Sequence, residues 1–482
     1  MNWFAIANLT SLIVLITSLF MLLPITVSAL YRSEDLDSLL YAFLIGLASS
    51  LFIFAVTRKG ARTDIRHRDG FLIVTLSWLA VSLFGSLPYL FEGTFQNITD
   101  AYFETMAGFT TTGASVMTDI ESNPKGILFW RSLTQWLGGM GIVMFSIAVL
   151  PMIGGGGIQL FKAEVPEITV DKLRPRLMDT AKSLWYIYSS LTALCAILYF
   201  FGGMNLYDAI CHAFTTLATG GFSTKNTSIA YYQSPFIELV STAFMFLAGI
   251  NYTLYFYAFK GDLSGFARSD EFRFYVRAVL ISTLVMTIVV WGENFDTLFQ
   301  SVRYAIFQVV SIMTTTGYAT ADYEQWSPLA QLLLVVLMFL GGMIGSTGGG
   351  MKQLRIYLMF KQAYRELYQL IHPRAVTVLK LDGKHVPKEI LGSIWGFLFL
   401  FIIIWVAGSL LLAAQDIDLV TASTTVISAL CNVGPALGSA GPAENYAHLP
   451  VFSKWVLILS MLIGRLEVYT VIILLVPHFW KK

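Results

Sequence analysis

Charge is scarce in this chain: Asp, Glu, Lys and Arg make up 13% of its 482 residues, against about 25% in soluble proteins. So uncharged a surface must largely face something other than water. Neither sign is in excess, since the formal net charge is +1. A phosphate-binding surface gathers basic residues on one face, so nucleic acid is not expected as a partner. Cysteine is rare too. Cys195, Cys211 and Cys431 lie far apart, in or beside apolar runs, which fits neither a disulfide framework nor a zinc site; they read as small buried hydrophobes. No His-x-x-x-His or Glu-x-x-His set occurs, and Gly441 and its neighbours form no nucleophile elbow. Intramembrane hydrolysis needs a base paired with a nucleophile, or two carboxylates, so the chain is not expected to be an enzyme. Met1 to Leu30 has no basic residue ahead of its apolar core and no convincing cleavage site; it reads as a retained membrane helix rather than a signal peptide.

What is abundant is apolar sequence, 56% of the chain. A spanning helix needs about 20 apolar residues. Suitable runs occur near 4–30, 39–56, 71–91, 127–151, 184–202, 235–259, 273–291, 328–345, 391–413 and 451–477. Ten spans put both termini on one side. The stretch 57–68 with its arginines, then Lys162, Lys172, Arg174, Arg176 and Lys182, then Lys260 and Arg268, then the basic residues from Lys352 to Lys388, and finally Lys481 and Lys482 all fall on one face. The positive-inside rule makes that face, and both termini, cytoplasmic.

The connections on the opposite face are long and end in Thr/Gly-rich stretches. A short apolar segment followed by small polar residues reads as a re-entrant helix and loop, and non-helical backbone at membrane depth survives only where it is buried in protein or lines an aqueous cavity. Four such segments align on one glycine each: Gly108-Phe-Thr-Thr-Thr-Gly113-Ala-Ser115, Thr215-Thr-Leu-Ala-Thr-Gly220-Gly-Phe-Ser223, Ile312-Met-Thr-Thr-Thr-Gly317-Tyr-Ala319 and Ala429-Leu-Cys-Asn-Val-Gly434-Pro-Ala436. The following spans align as well, at Leu137-Gly-Gly-Met-Gly141, Leu247-Ala-Gly-Ile-Asn251, Leu340-Gly-Gly-Met-Ile344 and Leu462-Ile-Gly-Arg-Leu466. Two motif sets in the same order define a repeat. The expected fold is therefore an all-α polytopic membrane protein with four pseudo-symmetric helix–pore-loop–helix repeats around one central pore. An N-terminal hairpin and basic loop would occupy 1–68, and the repeats 69–170, 171–265, 266–372 and 373–482.

A dehydrated monovalent cation needs a ring of oxygens in place of its hydration shell, and backbone carbonyls supply one where the chain can turn them toward an axis. Glycine allows the required conformations at least cost, so Gly113, Gly220, Gly317 and Gly434 are the expected anchors. The candidate filter comprises Thr111, Thr112 and Gly113; Ala218, Thr219 and Gly220; Thr315, Thr316 and Gly317; and Asn432, Val433 and Gly434. The ion is expected at the Thr111, Thr112, Ala218, Thr219, Thr315, Thr316, Asn432 and Val433 positions. In this register Ala218 leaves the innermost ring with side-chain oxygens from only three repeats. Asp100, Asp208 and Asp418 stand near helix starts, where acids cap and complement the dipole. Asp119, Glu121, Asp322, Glu324 and Glu444 form either a solvated rim or a cation-concentrating mouth.

The eighth span is interrupted by Gly345, Ser346, Thr347, Gly348, Gly349 and Gly350. Glycine weakens a helix by roughly 1 kcal/mol per residue relative to alanine, so this stretch reads as a loop that can plug the pore beneath the filter. Arg465 stands where the aligned spans carry Met140, Ile250 and Met343. An intramembrane arginine is a functional-site candidate: it can bond carbonyls of the 345–350 loop, or pair with Glu467.

The four filter segments, together with Leu-Gly-Gly-Met-Gly at 137–141, Ala-Gly-Ile-Asn-Tyr at 248–252, Gly-Gly-Met-Ile-Gly-Ser-Thr-Gly-Gly-Gly at 341–350 and Gly-Arg-Leu-Glu at 464–467, resemble the Trk/Ktr/HKT superfamily of potassium transporters. The resemblance covers nearly the whole chain. It implies potassium uptake across a bacterial inner membrane through a selective pore, by a homodimer with one pore per protomer. It also implies a gate made by Gly345 through Gly350 with Arg465, and a cytosolic regulatory ring of TrkA type on the basic face. No covalent cofactor is expected; a nucleotide (ATP/ADP or NAD) would act only through that ring. Sodium-passing plant relatives carry serine in the first filter, where Gly113 stands here, so potassium is the expected ion. The competing expectation is a potassium/proton or potassium/sodium symporter. Such proteins place ionisable relays at mid-membrane, and the chain offers mainly Arg465, Glu467, Glu238 and His212, of which His212 reads as a satisfied polar residue.

Overall fold

The computed structural model describes residues 1–60, 66–148, 173–375 and 377–481. The domain boundary drawn at 170/171, together with Lys162 and Lys172, lies outside them. Nearly all of the described secondary structure is helical, apart from a two-residue antiparallel pairing of Lys380–Leu381 with Lys384–His385.

Among the described residues, six helices are long and apolar enough to cross a membrane: Trp3–Tyr31, Leu36–Thr57, Arg68–Glu92, Ala181–Phe201, Asp270–Val290 and Lys388–Ala413. Two further expected spans are helix pairs sharply bent at a short break, Pro235–Ala248 with Tyr252–Phe259 at 92° and Val451–Arg465 with Tyr469–Leu475 at 111°. The remaining two fall on the helix Lys125–Ala148 and on Pro328–Leu340, which stops after 13 residues. One interruption was expected, in the eighth span. The described residues have three, at aligned positions within repeats two, three and four. In repeats two and three the exposed backbone groups pair with each other: Met343 N–H donates to Gly249 O at 2.9 Å and Tyr252 N–H to Gly345 O at 3.1 Å. A broken helix survives in a membrane when its freed polar groups are met this way.

The first helix packs against the second and against the helix that starts at His67. Contact is close because it runs through small residues: a β-carbon on Gly46 would fall 2.4 Å from Ser18 Oγ. Asp35 ties this hairpin to the first repeat, accepting from Ser28 Oγ and from the Ile127 N–H, both at 2.6 Å.

Each repeat contains a pore helix of 12 to 16 residues, too short to span: Ile98–Phe109, Leu206–Leu217, Leu298–Met313 and Leu419–Cys431. All four start on a side-chain cap, from Asn97, Asn205, Thr297 and Asp418. Of the three acids expected there, only Asp418 caps directly. Asp100 and Asp208 sit three residues inside, each with its carboxylate bonded at 2.8 Å to the amide of the capping asparagine, a reciprocal arrangement like the capping box. The three cysteines are buried and free.

Candidate functional site

The four pore helices end in the same motif. Beyond each helix, at the second residue in the first three repeats and the first residue in the fourth, the chain enters the left-handed region, with φ of 51° at Thr111, 53° at Thr219, 61° at Thr315 and 57° at Asn432. The next residue folds its N–H back onto the helix: Thr112 to Ala107 O (2.8 Å), Gly220 to Thr215 O (2.9 Å), Thr316 to Ser311 O (2.8 Å) and Val433 to Ser428 O (2.9 Å). This is the six-to-one closure of a Schellman motif. A second positive φ follows at Gly113 (78°), Gly221 (77°), Gly317 (79°) and Gly434 (106°).

This pattern corrects the register of the second repeat by one residue. Gly221, not Gly220, is the counterpart of Gly113, and Thr219, not Ala218, is the counterpart of Thr111. Ala218 is still right-handed, with φ −73° and ψ −12°. The gap expected in the ring at Ala218 therefore vanishes: three threonines and one asparagine hold the equivalent positions. Two adjacent glycines permit two alignments, and the end of the pore helix decides between them.

The four glycines close a ring. A β-carbon on Gly113 would lie 2.0 Å from Gly220 O, one on Gly221 2.0 Å from Thr316 O, one on Gly317 2.1 Å from Val433 O, and one on Gly434 2.5 Å from Thr112 O. Each repeat thus presses its glycine onto the carbonyl just before the glycine of the next, and the fourth returns to the first. At this left-handed conformation a side chain is strained in any case.

The 345–350 loop lies directly beneath. Gly349 N–H donates to Thr315 Oγ1 at 2.6 Å and Gly350 N–H to Cys431 O at 2.9 Å. A β-carbon on Gly349 would fall 2.3 Å from Cys431 O, and one on Gly348 2.9 Å from Thr314 O, so the glycines let the loop touch the filter backbone. Ser346 and Thr347 are fully buried. Lys352 Nζ donates to Gly348 O. Arg465 Nη1 donates to Thr347 O at 2.9 Å and its Nη2 to Gly138 O at 3.2 Å, linking the fourth repeat to the loop and to the first repeat. Arg465 does not pair with Glu467; that carboxylate is bonded to Arg355 instead. Arg465 ends its helix, whereas Glu467 lies in the break that follows, in the left-handed region with φ 58°.

His212 is buried with both ring nitrogens partnered, Nδ1 with Asp208 O at 2.8 Å and Nε2 with Ser223 Oγ at 2.9 Å. Glu238 pairs with Arg303 at 2.5 Å. Among the rim acids, Asp119 accepts from Asn226 Nδ2 at 3.0 Å, and hydrogen bonds to Asn226 and its own loop lower its pKa. Burial raises the pKa of Glu324, which Asp322 and Glu444 reinforce.

Sequence reading missed a buried pair behind the filter. Arg131 Nε meets Glu104 Oε1 at 2.6 Å, with both side chains excluded from solvent. Arg131 lies inside the expected span 127–151, so the rule that singled out Arg465 applied to it equally.

The profile of the TrkH family, described as a cation transport protein, matches residues 41–482. The chain is 40% identical over 486 residues to the Trk system potassium uptake protein TrkH of Escherichia coli K12, covering 100% of both. It is 41% identical to TrkH of Halomonas elongata, covering 99% of both, and 35% identical to TrkG of Escherichia coli K12, covering 99% of this chain and 98% of that one. The crystal structure of the potassium transporter TrkH from Vibrio parahaemolyticus superposes with a TM-score of 0.92 at 37% identity, covering 100% of both chains.

Proposed function

The chain belongs to the TrkH family of cation transport proteins and is a multi-pass membrane protein, and from that premise we propose that it takes up potassium through one channel-like pore per protomer, gated by the 345–350 loop and Arg465. The relatives' names, potassium uptake proteins all, support the ion. The observation that carries the pore is the closed ring of four glycines and four carbonyls. Main-chain oxygens at Thr111, Thr112, Thr219, Gly220, Thr315, Thr316, Asn432 and Val433 stand in for the water of a bare ion. The C-terminal ends of four pore helices converge there and favour a cation.

Beneath the ring, the loop bonds to the filter at Thr315 and Cys431, and a guanidinium holds it at Thr347. In this arrangement the loop occludes the path and Arg465 places a positive charge in it; opening requires both to leave. The protein works as a homodimer in a bacterial inner membrane with both termini cytoplasmic. A cytosolic regulatory ring of TrkA type docks on the basic face that carries Lys361 to Lys388, Lys352 and Arg355 being buried against Gly348 O and Glu467 instead, and any nucleotide acts through that ring. Channel-like passage is favoured over symport because His212, Glu238 and Glu467 are each consumed in structural bonds, leaving no evident relay from these candidates.

Isotope flux tests this. Purified protein in liposomes loaded with potassium is expected to accumulate radioactive rubidium, with added potassium competing far better than sodium. Equal competition by sodium would remove the potassium claim.

A further inference from the structure

The four seams of the ring are not built alike. Between the second and third repeats, Tyr318 Oη reaches back into the second pore helix and donates to His212 O at 3.1 Å. Between the third and fourth, Tyr323 Oη donates to Ala436 O at 3.3 Å. Between the fourth and first, Tyr446 N–H donates to Ser115 O at 2.8 Å. These struts are uncharged.

The seam between the first and second repeats is held by charge. Glu104, on the first pore helix, accepts from Ser115 Oγ at 2.9 Å and from Val116 N–H at 2.8 Å, so it holds the first filter strand just past Gly113. Its other bond is to Arg131 Nε at 2.6 Å. Arg131 in turn donates through Nη1 to Ser223 O at 2.8 Å, and its guanidinium lies 3.6 Å from the Phe222 ring centroid. One turn further along the same helix, Gln135 donates to Gly220 O at 2.7 Å and accepts from Phe222 N–H at 3.1 Å. The second filter strand is thus clamped from Gly220 to Ser223 by a helix of the first repeat, and Gly220 O is the oxygen against which Gly113 closes. The pairs Lys454–Asp100 and Arg303–Glu238 also link repeats, but they hydrogen-bond no filter strand.

Glu104 and His212 occupy matching places, each meeting the serine 11 residues on. The position therefore supports the strand in both repeats, and the first adds a carboxylate to anchor an arginine. A buried ion pair of this kind is weak evidence for stability and better evidence for a fixed geometry.

Resting on the filter reading above, we propose that Glu104, Arg131 and Gln135 are specificity-determining positioning residues: they set the spacing of the first and second filter strands, and hence how strictly the ring excludes sodium. A loosened seam lets oxygens close onto a smaller ion.

The test compares the full-length proteins Glu104→Gln and Gly113→Ser with wild type in proteoliposomes, reading the sodium concentration that halves rubidium uptake, with monodispersity and thermal unfolding as fold checks. Loss of a hydrogen bond to a charged group predicts that folded Glu104→Gln needs about tenfold less sodium. A folded Glu104→Gln with the wild-type value, or with reduced flux and an unchanged value, overturns the inference when Gly113→Ser shifts it. If neither variant shifts it, the filter reading falls and takes the inference with it. Should Glu104→Gln not fold, Gln135→Met, which removes the uncharged arm, is read by the same criteria.

Discussion

The α-carbon of Gly221 rests against the carbonyl of Thr316, so closely that a methyl group there would sit 2.0 Å from the oxygen. Its neighbour Gly220 meets no backbone so closely: the atoms nearest a β-carbon on it would belong to the Gln135 side chain, at 2.3 Å and beyond, and its φ is not positive. Gly221→Ala combines a left-handed penalty of about 1–2 kcal/mol with a backbone collision, whereas Gly220→Ala asks a side chain to move. Rubidium flux is expected to be nearly abolished by the first and reduced by the second. Equal losses would contradict the register.

Arg465 is predicted to hold the loop shut. Arg465→Ala removes two hydrogen bonds and a charge from the path, and deletion of 346–349 removes the obstruction. Both variants are expected to raise flux in liposomes while preserving the preference for potassium over sodium. Unchanged or lower flux in both would remove the gate.

Arg355 and Glu467 join the helix that follows the loop to the chain break after Arg465. Arg355 also lies 4.4 Å from the Phe397 ring centroid. Glu467→Leu strands the arginine and is expected to cost about 3–5 kcal/mol. The double variant with Arg355→Met should recover most of that. Thermal unfolding of the purified single and double variants checks it; a double variant no better than the single would show that the pair is not a unit.

Asp418 caps the fourth pore helix through the Thr421 N–H at 3.0 Å. Its pKa is lowered, chiefly by hydrogen bonding to Thr421. Asp418→Ala is expected to destabilise by about 1 kcal/mol, and the lowered pKa means that the cap's contribution is present at neutral pH and lost as pH falls through the folded pKa. Unfolding curves at neutral and acid pH should converge for wild type and variant at the acid end; a gap that persists there would contradict the cap.

Most of the architecture was legible because membrane helices announce themselves by length and apolarity, and because the repeated glycines recur in order. The hairpin at the N-terminus and all four pore helices follow from that alone. Two features did not. Gly220-Gly221 gave two equally good alignments, and only the helix end at Ala218 selects one. The breaks after Ala248 and Arg465 were hidden because the runs that contain them, 235–259 and 451–477, are long and apolar enough to read as whole spans; at the first of them the freed backbone pairs with another repeat, as between Gly249 and Met343, which no single segment reveals. Glu104 escaped notice because its partner Arg131 lies a whole loop and part of a helix away.

The most direct test of the central claim is the reversal potential of current through the purified protein in a planar bilayer with unequal potassium across it. A conductive pore lined by the ring predicts reversal at the potassium equilibrium potential, unmoved by a proton or sodium gradient. Reversal that shifts with either gradient would contradict it.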